Sequence, residues 1–133
     1  MKPKHARCLA SQVPPQPVPT PGALVTLRVD LPPLCPVSGN PRKGSFLVVS
    51  YRAVGAVVDV LDLARWVLEY RGGHADGTRS AEPMVHALAD RLAATTGTEV
   101  SVRAVLVVDA GGVPASVVVR VVGKPALVDA GVD

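Results

Sequence analysis

One cysteine lies in a loop whose composition could support covalent chemistry. Cys35 opens the segment Cys-Pro-Val-Ser-Gly-Asn-Pro, residues 35–41, which separates two apolar, β-branched stretches. Proline fixes φ and glycine permits conformations that other residues avoid, so the loop is expected to hold the thiol in place. The thiolate is the nucleophilic form of cysteine, and nearby cations favour it. Arg42 and Lys43 follow the loop directly, which makes Cys35 a candidate nucleophile.

Composition limits the function classes open to this chain. Its 133 residues are typical of a single domain, and a hydrophobic fraction of 48% is enough for a core. Only 3% of the residues are aromatic, so the core has to consist of Val, Leu and Ala, which favours β-sheet. The net charge of +3 is mild, and the basic residues are scattered without interleaved aromatics. The sequence therefore gives little support for direct nucleic-acid binding.

Metal binding, membrane insertion and secretion also have little support. The chain has two cysteines, Cys8 and Cys35, and three histidines, with no spacing typical of a zinc site. No uninterrupted apolar run reaches the roughly 18 residues that a membrane span requires. The basic N-terminus is not followed by the apolar core of a signal peptide. We therefore expect a cytoplasmic protein without a metal site or a membrane contact.

Apolar periodicity predicts the element order strand, strand, helix, helix, strand, strand. In the four predicted strands, apolar residues alternate with other residues or run continuously, and these strands cover residues 23–31, 46–53, 98–109 and 115–122. Helical spacing of apolar residues occurs in two further segments. The first begins at residue 60 and ends at the glycines 72 and 73, and the second extends from Ser80 to about Gly97.

The predicted domain covers residues 22–123, between a proline-rich flexible arm at 1–21 and a short tail at 124–133. Its strands are expected to form a four-stranded antiparallel sheet with both helices on one face, an α+β architecture. The other face still carries apolar residues, among them Val105 and Val118. Because an uncovered apolar face and open sheet edges need partners, we expect a homo-oligomer with sites between subunits.

The element order and the sequence Leu-Cys-Pro-Val-Ser-Gly-Asn-Pro at residues 34–41 resemble the tunnelling fold, and within it the QueF group. That group contains 7-cyano-7-deazaguanine reductases and their amidine-forming, QueF-like relatives. Its loop reads roughly Cys-Pro-Val-Thr-Gly-Gln-Pro-Asp, and the resemblance extends over about residues 23–122. It implies a ββααββ tunnelling fold that oligomerises into a barrel, and a 7-deazapurine small molecule or a modified nucleic acid as the partner.

The resemblance also implies a covalent mechanism. Cys35 would attack the nitrile carbon of the 7-cyano base and form a thioimide. Glu82 matches a family glutamate at the start of the second helix, which holds the purine-like edge of the base. The remaining candidates are Arg42 for catalysis, and Ser38, Asp59 and His74 for substrate binding, with His74 also able to stand in for a lost acid.

Three positions differ from the family pattern. Arg42 replaces the aspartate that donates a proton to the nitrile nitrogen, and Ala81 replaces a histidine. Asp62 and Ala64 replace lysines of the stretch that binds the nicotinamide cofactor. The resemblance therefore favours a QueF-like enzyme that forms an amidine with ammonia and uses no cofactor. The alternatives are an NADPH-dependent nitrile reductase and a non-catalytic tunnelling-fold protein that binds a purine-like ligand or serves in assembly.

Each candidate residue also has a purely structural interpretation. Cys35 is compatible with a small packing residue in a loop. Glu82 suits the first turn of a helix, where a carboxylate interacts favourably with the helix dipole. Asp59 is typical of a helix N-cap, Arg42 of a solvated loop, and His74 of the surface.

Overall fold

The computed structural model describes residues 15–16, 22–74, 77 and 80–125. Most of the predicted arm and tail lies outside these residues, as does Cys8. The secondary structure elements are, in chain order, β1 (Pro15–Gln16), β2 (Leu24–Asp30), β3 (Phe46–Arg52), β4 (Val57–Val58), α1 (Val60–Leu68), α2 (Ala81–Thr96), β5 (Val100–Asp109) and β6 (Pro114–Gly123). The predicted order of four long strands and two helices is confirmed, and the two-residue strands β1 and β4 add to it.

The long strands form one antiparallel sheet in the order β2-β3-β5-β6, as predicted. Strand β5 pairs with β6 over its whole length, from Val100 opposite Gly123 to Asp109 opposite Pro114. Its pairing with β3 ends at Val105, which lies opposite Phe46. The last four residues of β5 therefore extend beyond β3, and the cysteine loop approaches this part of the strand.

Alternation along the strands gives the sheet a buried face and an open face. Both helices contact the buried face, and the core consists mainly of Val, Leu and Ala, as the composition predicted, together with Tyr51, Trp66, Tyr70 and Met84. Its largest fully buried side chains are Leu34, Leu47, Leu63, Met84, Leu88, Leu92, Val49, Val67, Val85, Val100 and Val102. On the open face, Val105 and Val107 are half-buried and Val118 is exposed, so this face is only partly shielded from solvent by the described residues.

Local signals mark the start of α1 and the end of α2, whereas α1 ends at Leu68, before the predicted end at glycines 72 and 73. The Asp59 carboxylate accepts a hydrogen bond of 2.7 Å from the N–H of Leu61, which makes Asp59 the N-cap of α1. Gly97 ends α2 in the left-handed conformation, with φ of 71°. Ser80 occupies the N-cap position of α2, but its side chain makes no capping hydrogen bond. None of the described helices is long and apolar enough to cross a bilayer.

A short antiparallel pair, β1 with β4, lies before α1 and was not predicted from the sequence. Tyr51 of β3 holds β4 in place, because its phenol oxygen accepts a hydrogen bond of 2.7 Å from the Val58 N–H. Burial raises the pKa of the Tyr51 phenol above its usual value of 10.0, and the Val58 hydrogen bond opposes this rise.

At Gly123, β6 lies directly against the backbone of α2. A Cβ at this position would overlap the carbonyl oxygen of Ala89, so strand or helix would have to shift. We predict that Gly123→Ala lowers the free energy of unfolding by about 1–3 kcal/mol, the usual cost of overpacking. Gly55→Ala is the matched control, because its Cβ would meet the Thr96 carbonyl oxygen at an ordinary 3.5 Å. Urea denaturation measures both variants, and equal losses would contradict the prediction.

Candidate active site

A pocket of ≈ 360 Å³ opens where the cysteine loop, the start of α2 and the strands β5 and β6 meet. Among the described residues, those that give it polar atoms in side chains are Cys35, Ser38, Asn40, Ser80 and Glu82. Its apolar wall on the sheet consists of Leu106, Val108, Val117 and Val119. A thiol and a carboxylate therefore share one cavity with a largely apolar wall.

The cysteine loop closes into a tight turn around the sulfur. The Ser38 N–H points to Cys35 Sγ at 3.5 Å, and the Gly39 N–H donates to the Cys35 carbonyl oxygen at 2.9 Å. Gly39 has φ of 71°, a conformation that side-chain-bearing residues adopt rarely. A donor aimed at sulfur favours the thiolate over the thiol. Cys35 is half-buried, so the sulfur is neither sealed in the core nor fully solvated.

Asn40 fastens this turn to the end of β5. Its carbonyl oxygen accepts hydrogen bonds of 2.9 Å from the N–H groups of Leu34 and Cys35. Its side chain pairs with the backbone of Asp109, donating to the carbonyl oxygen at 3.1 Å and accepting from the N–H at 2.9 Å. The position of Cys35 therefore depends on Asn40, a residue that sequence reasoning missed. An Asn between Gly and Pro indicated a turn, but nothing in the sequence indicated its partner on β5.

A second attachment holds the far end of the loop against β5. Ser45 is buried, and its hydroxyl accepts a hydrogen bond of 2.8 Å from the Val107 N–H while donating to the Arg42 carbonyl oxygen at 2.7 Å. The Arg42 N–H in turn donates to the Val107 carbonyl oxygen at 2.6 Å. The loop thus provides hydrogen-bond partners for backbone groups of β5 that lie beyond the end of β3.

The structure brings together three of the residues predicted for the site. Cys35 and Ser38 come from the loop, and Glu82 comes from the first turn of α2. Their predicted roles as nucleophile and substrate contacts are not tested by position alone, but all three line the same cavity. Ser80 also belongs to the lining, although the sequence predicted it only as the start of the second helix.

The other three predicted residues lie outside the described lining of this pocket. The Arg42 guanidinium is 3.5 Å from the Asp109 carboxylate, and it also lies close to Gly39. Asp59 caps α1, and the ring of His74 stacks on that of Tyr70 with centroids 4.2 Å apart. A catalytic role for Arg42 and substrate contacts for Asp59 and His74 stay predictions.

Among the described residues, no group of three or more His, Cys, Asp or Glu side chains is placed to hold a metal ion.

Comparisons with known proteins support the fold. No family model and no curated protein sequence matches the chain. Among solved structures, the apo form of the archaeosine synthase QueF-Like superposes with a TM-score of 0.57. The two sequences are 23% identical, and the match covers 81% of this chain and 98% of that chain. The antiparallel four-stranded sheet with two helices is thus a QueF-like α+β fold, as the sequence resemblance implied, and the barrel assembly stays a prediction.

We predict that Asn40→Ala loosens the cysteine loop. The substitution removes two hydrogen bonds to the Asp109 backbone, so the free energy of unfolding should fall by about 1–2 kcal/mol. Hydrogen exchange measured by mass spectrometry should show faster exchange in peptides that contain Asp109. Ser116→Ala is the control, since this exposed residue of β6 has no side-chain hydrogen bond within the described residues. Unchanged exchange at Asp109 in Asn40→Ala would show that the hydrogen bonds between Asn40 and Asp109 are dispensable.

Proposed function

We propose that this protein converts the nitrile of 7-cyano-7-deazaguanine, free or attached to nucleic acid, into an amidine with ammonia as the nitrogen donor. The observation that carries the proposal is the shared cavity of Cys35 and Glu82. Its volume of ≈ 360 Å³ lies in the range of about 300–1,000 Å³ typical of small-molecule sites. The fold shared with an archaeosine synthase supports the same class of chemistry.

The proposed reaction is an addition followed by a substitution, with no redox step. The Cys35 thiolate attacks the nitrile carbon, a C–S bond forms, and the nitrile nitrogen takes up the proton that the thiol lost, which gives a thioimide. Ammonia then adds to the same carbon, the C–S bond breaks, and one ammonia proton passes to the departing sulfur, which leaves the amidine and a free Cys35 thiol. The Ser38 N–H near the sulfur supports both steps, since it stabilises the negative charge of the attacking and leaving thiolate.

Glu82 is the proposed recognition residue for the base. A carboxylate accepts two hydrogen bonds from a ring N–H and an adjacent amino group, a pair of donors that a guanine-like edge presents. Glu82 lies in the first turn of α2, where the positive end of the helix dipole attracts a negative charge. The apolar side chains of Leu106 and Val119 on the sheet offer a flat wall for the ring system.

Ammonia is preferred over a nicotinamide as the second reactant because of the charges at the pocket. Reduction of a nitrile to an amine needs two hydrides, and a phosphorylated nicotinamide carries several negative charges. Among the described lining residues, Glu82 is charged and no lysine or arginine is present. A small neutral nucleophile fits this surface better than a polyanionic cofactor does.

A second protomer is proposed to complete the cavity. Val117 on the edge strand β6 lines the pocket and is still 43% exposed, and its neighbour Val118 is 61% exposed. Covering this edge would remove apolar surface and unpaired strand groups from water. A site between subunits would then combine the thiol of one chain with groups of the next.

The covalent step has a direct test. Mixing the protein with 7-cyano-7-deazaguanine should give an adduct whose mass exceeds that of the protein by one molecule of the nitrile, as read by intact-protein mass spectrometry. Cys35→Ala should abolish the adduct, whereas Cys8→Ala should keep it. No adduct with the wild-type protein, or an adduct that survives in Cys35→Ala, would remove the basis of the proposed mechanism.

Product analysis separates the amidine reaction from its alternatives. With ammonia, the nitrile should become the amidine, and NADPH should not be consumed. Glu82→Gln should lower kcat/KM by about 10- to 100-fold, the effect of losing a charged hydrogen-bond acceptor. Glu99→Gln is the control, because Glu99 is exposed and does not line the pocket. An aminomethyl product with NADPH oxidation would indicate a reductase, and tight binding of the base without any product would indicate a non-catalytic protein.

A further inference from the structure

Ser38 carries a hydroxyl group in the turn that surrounds the sulfur of the pocket. The residue lines the pocket, and its Oγ accepts a hydrogen bond of 3.2 Å from the Asn40 N–H. Within the described part of the chain, no group accepts a hydrogen bond from its O–H. The N–H of the same residue points to Cys35 Sγ at 3.5 Å. The turn thus places an available hydrogen-bond donor next to the candidate nucleophile.

The other polar groups of the loop and the pocket are less suited to donate a hydrogen bond beside the sulfur. The N–H groups of Ser38, Gly39 and Asn40 are already used inside the turn, and the Asn40 side chain is bound to the backbone of β5. An ionised Glu82 carboxylate accepts hydrogen bonds and donates none. Ser80 also has a hydroxyl, but it belongs to the start of α2 and not to the cysteine loop.

Addition of a thiolate to a nitrile needs a donor close to the sulfur. The sulfur electron pair forms the C–S bond, and one π pair of the triple bond moves to the nitrogen, which becomes negatively charged. A hydrogen-bond donor that is fixed in advance where charge develops lowers the barrier of such a step. The nitrogen is bonded to the carbon that the sulfur attacks, so its donor has to lie near Cys35.

We infer that the Ser38 hydroxyl is a catalytic residue that donates a hydrogen bond to the nitrile nitrogen while Cys35 attacks the carbon. The hydroxyl keeps its own proton, and the nitrogen takes up the proton that the thiol lost, delivered through solvent. The hydrogen bond from the Asn40 N–H holds the hydroxyl oxygen and polarises its O–H bond. This inference rests on the addition to a nitrile proposed above, and it names the group that stabilises the charge formed in that step.

Time-resolved intact-protein mass spectrometry with 2-cyanopyrimidine tests the inference, because this heteroaromatic nitrile forms a thioimide without the guanine-like edge proposed for Glu82. Cys8→Ala serves as the parent protein, so that Cys35 is the one thiol of the chain. In this parent, Ser38→Ala should slow adduct formation by about 100-fold, the order of effect of losing one oxyanion-hole donor. Ser38→Thr keeps a hydroxyl and should restore most of the rate. Ser116→Ala is the matched control, since this exposed serine lies outside the described pocket lining.

Alkylation with iodoacetamide separates a catalytic role from a structural one. That reaction forms a C–S bond and releases iodide without placing charge on a nitrile nitrogen, so Ser38→Ala should be alkylated as fast as the parent. Equal slowing with both reagents would overturn the inference, because the serine would then act on the thiol or on the loop. An unchanged rate with the nitrile, a Ser38→Thr variant as slow as Ser38→Ala, or no nitrile adduct of the parent would also overturn it.

A parallel reaction with 7-cyano-7-deazaguanine distinguishes failure of this inference from failure of the proposed function. A Ser38-dependent reaction with 2-cyanopyrimidine and none with the deazaguanine would remove the proposed substrate and support the role of Ser38. Equal rates of adduct formation with the deazaguanine in the parent and in Ser38→Ala would support the proposed chemistry and overturn the role of Ser38.

Discussion

The structure depends on the hydrogen bonds that the cysteine loop makes with the end of β5 that extends beyond β3. Strand β3 stops pairing at Val105, which leaves the backbone groups of the last four residues of β5 without a strand partner on that side. Buried or half-buried peptide groups need hydrogen bonds. The loop provides them through Asn40 at Asp109 and through Ser45 at Val107. Backbone pairing of an irregular loop thus places a thiol beside the start of α2.

The alternation of the sheet separates two surfaces with different chemistry. On the helix side, the same strands supply the core and then, near their ends, the apolar wall of the pocket. On the other side, the register places Arg28, Arg103 and Arg120 in one line. Because neighbouring residues of a strand point to opposite faces, a strand can take part in a reactive pocket and a charged surface at the same time. A substitution on one face of the sheet therefore need not alter the side chains on the other face.

Residues around the cysteine loop differ from the family pattern although the fold is QueF-like. The resemblance places an aspartate where this chain has Arg42, and the structure pairs Arg42 with Asp109 at 3.5 Å, outside the described pocket lining. The charge at this end of the loop is therefore inverted and partly compensated without a change of fold. Function depends on the groups placed in the pocket and not on the fold itself. The thiol of Cys35 and the carboxylate of Glu82 both line the pocket, and the proposed addition to a nitrile depends on these two groups.

Much of the fold follows from the sequence, because apolar periodicity records which side of each element is buried. The four long strands and both helices were recognisable in this way. The Asp59 cap and the terminating Gly97 were recognisable from their residue types. The meeting of Cys35 with Glu82 came only from the resemblance to a known family. The sequence did not predict the hydrogen bonds between Asn40 and Asp109, the short β1–β4 pair or the alignment of Arg28, Arg103 and Arg120 across the sheet. Those features depend on strand register and on which elements pack together. Residues distant in the chain set both, and local periodicity carries no information about them.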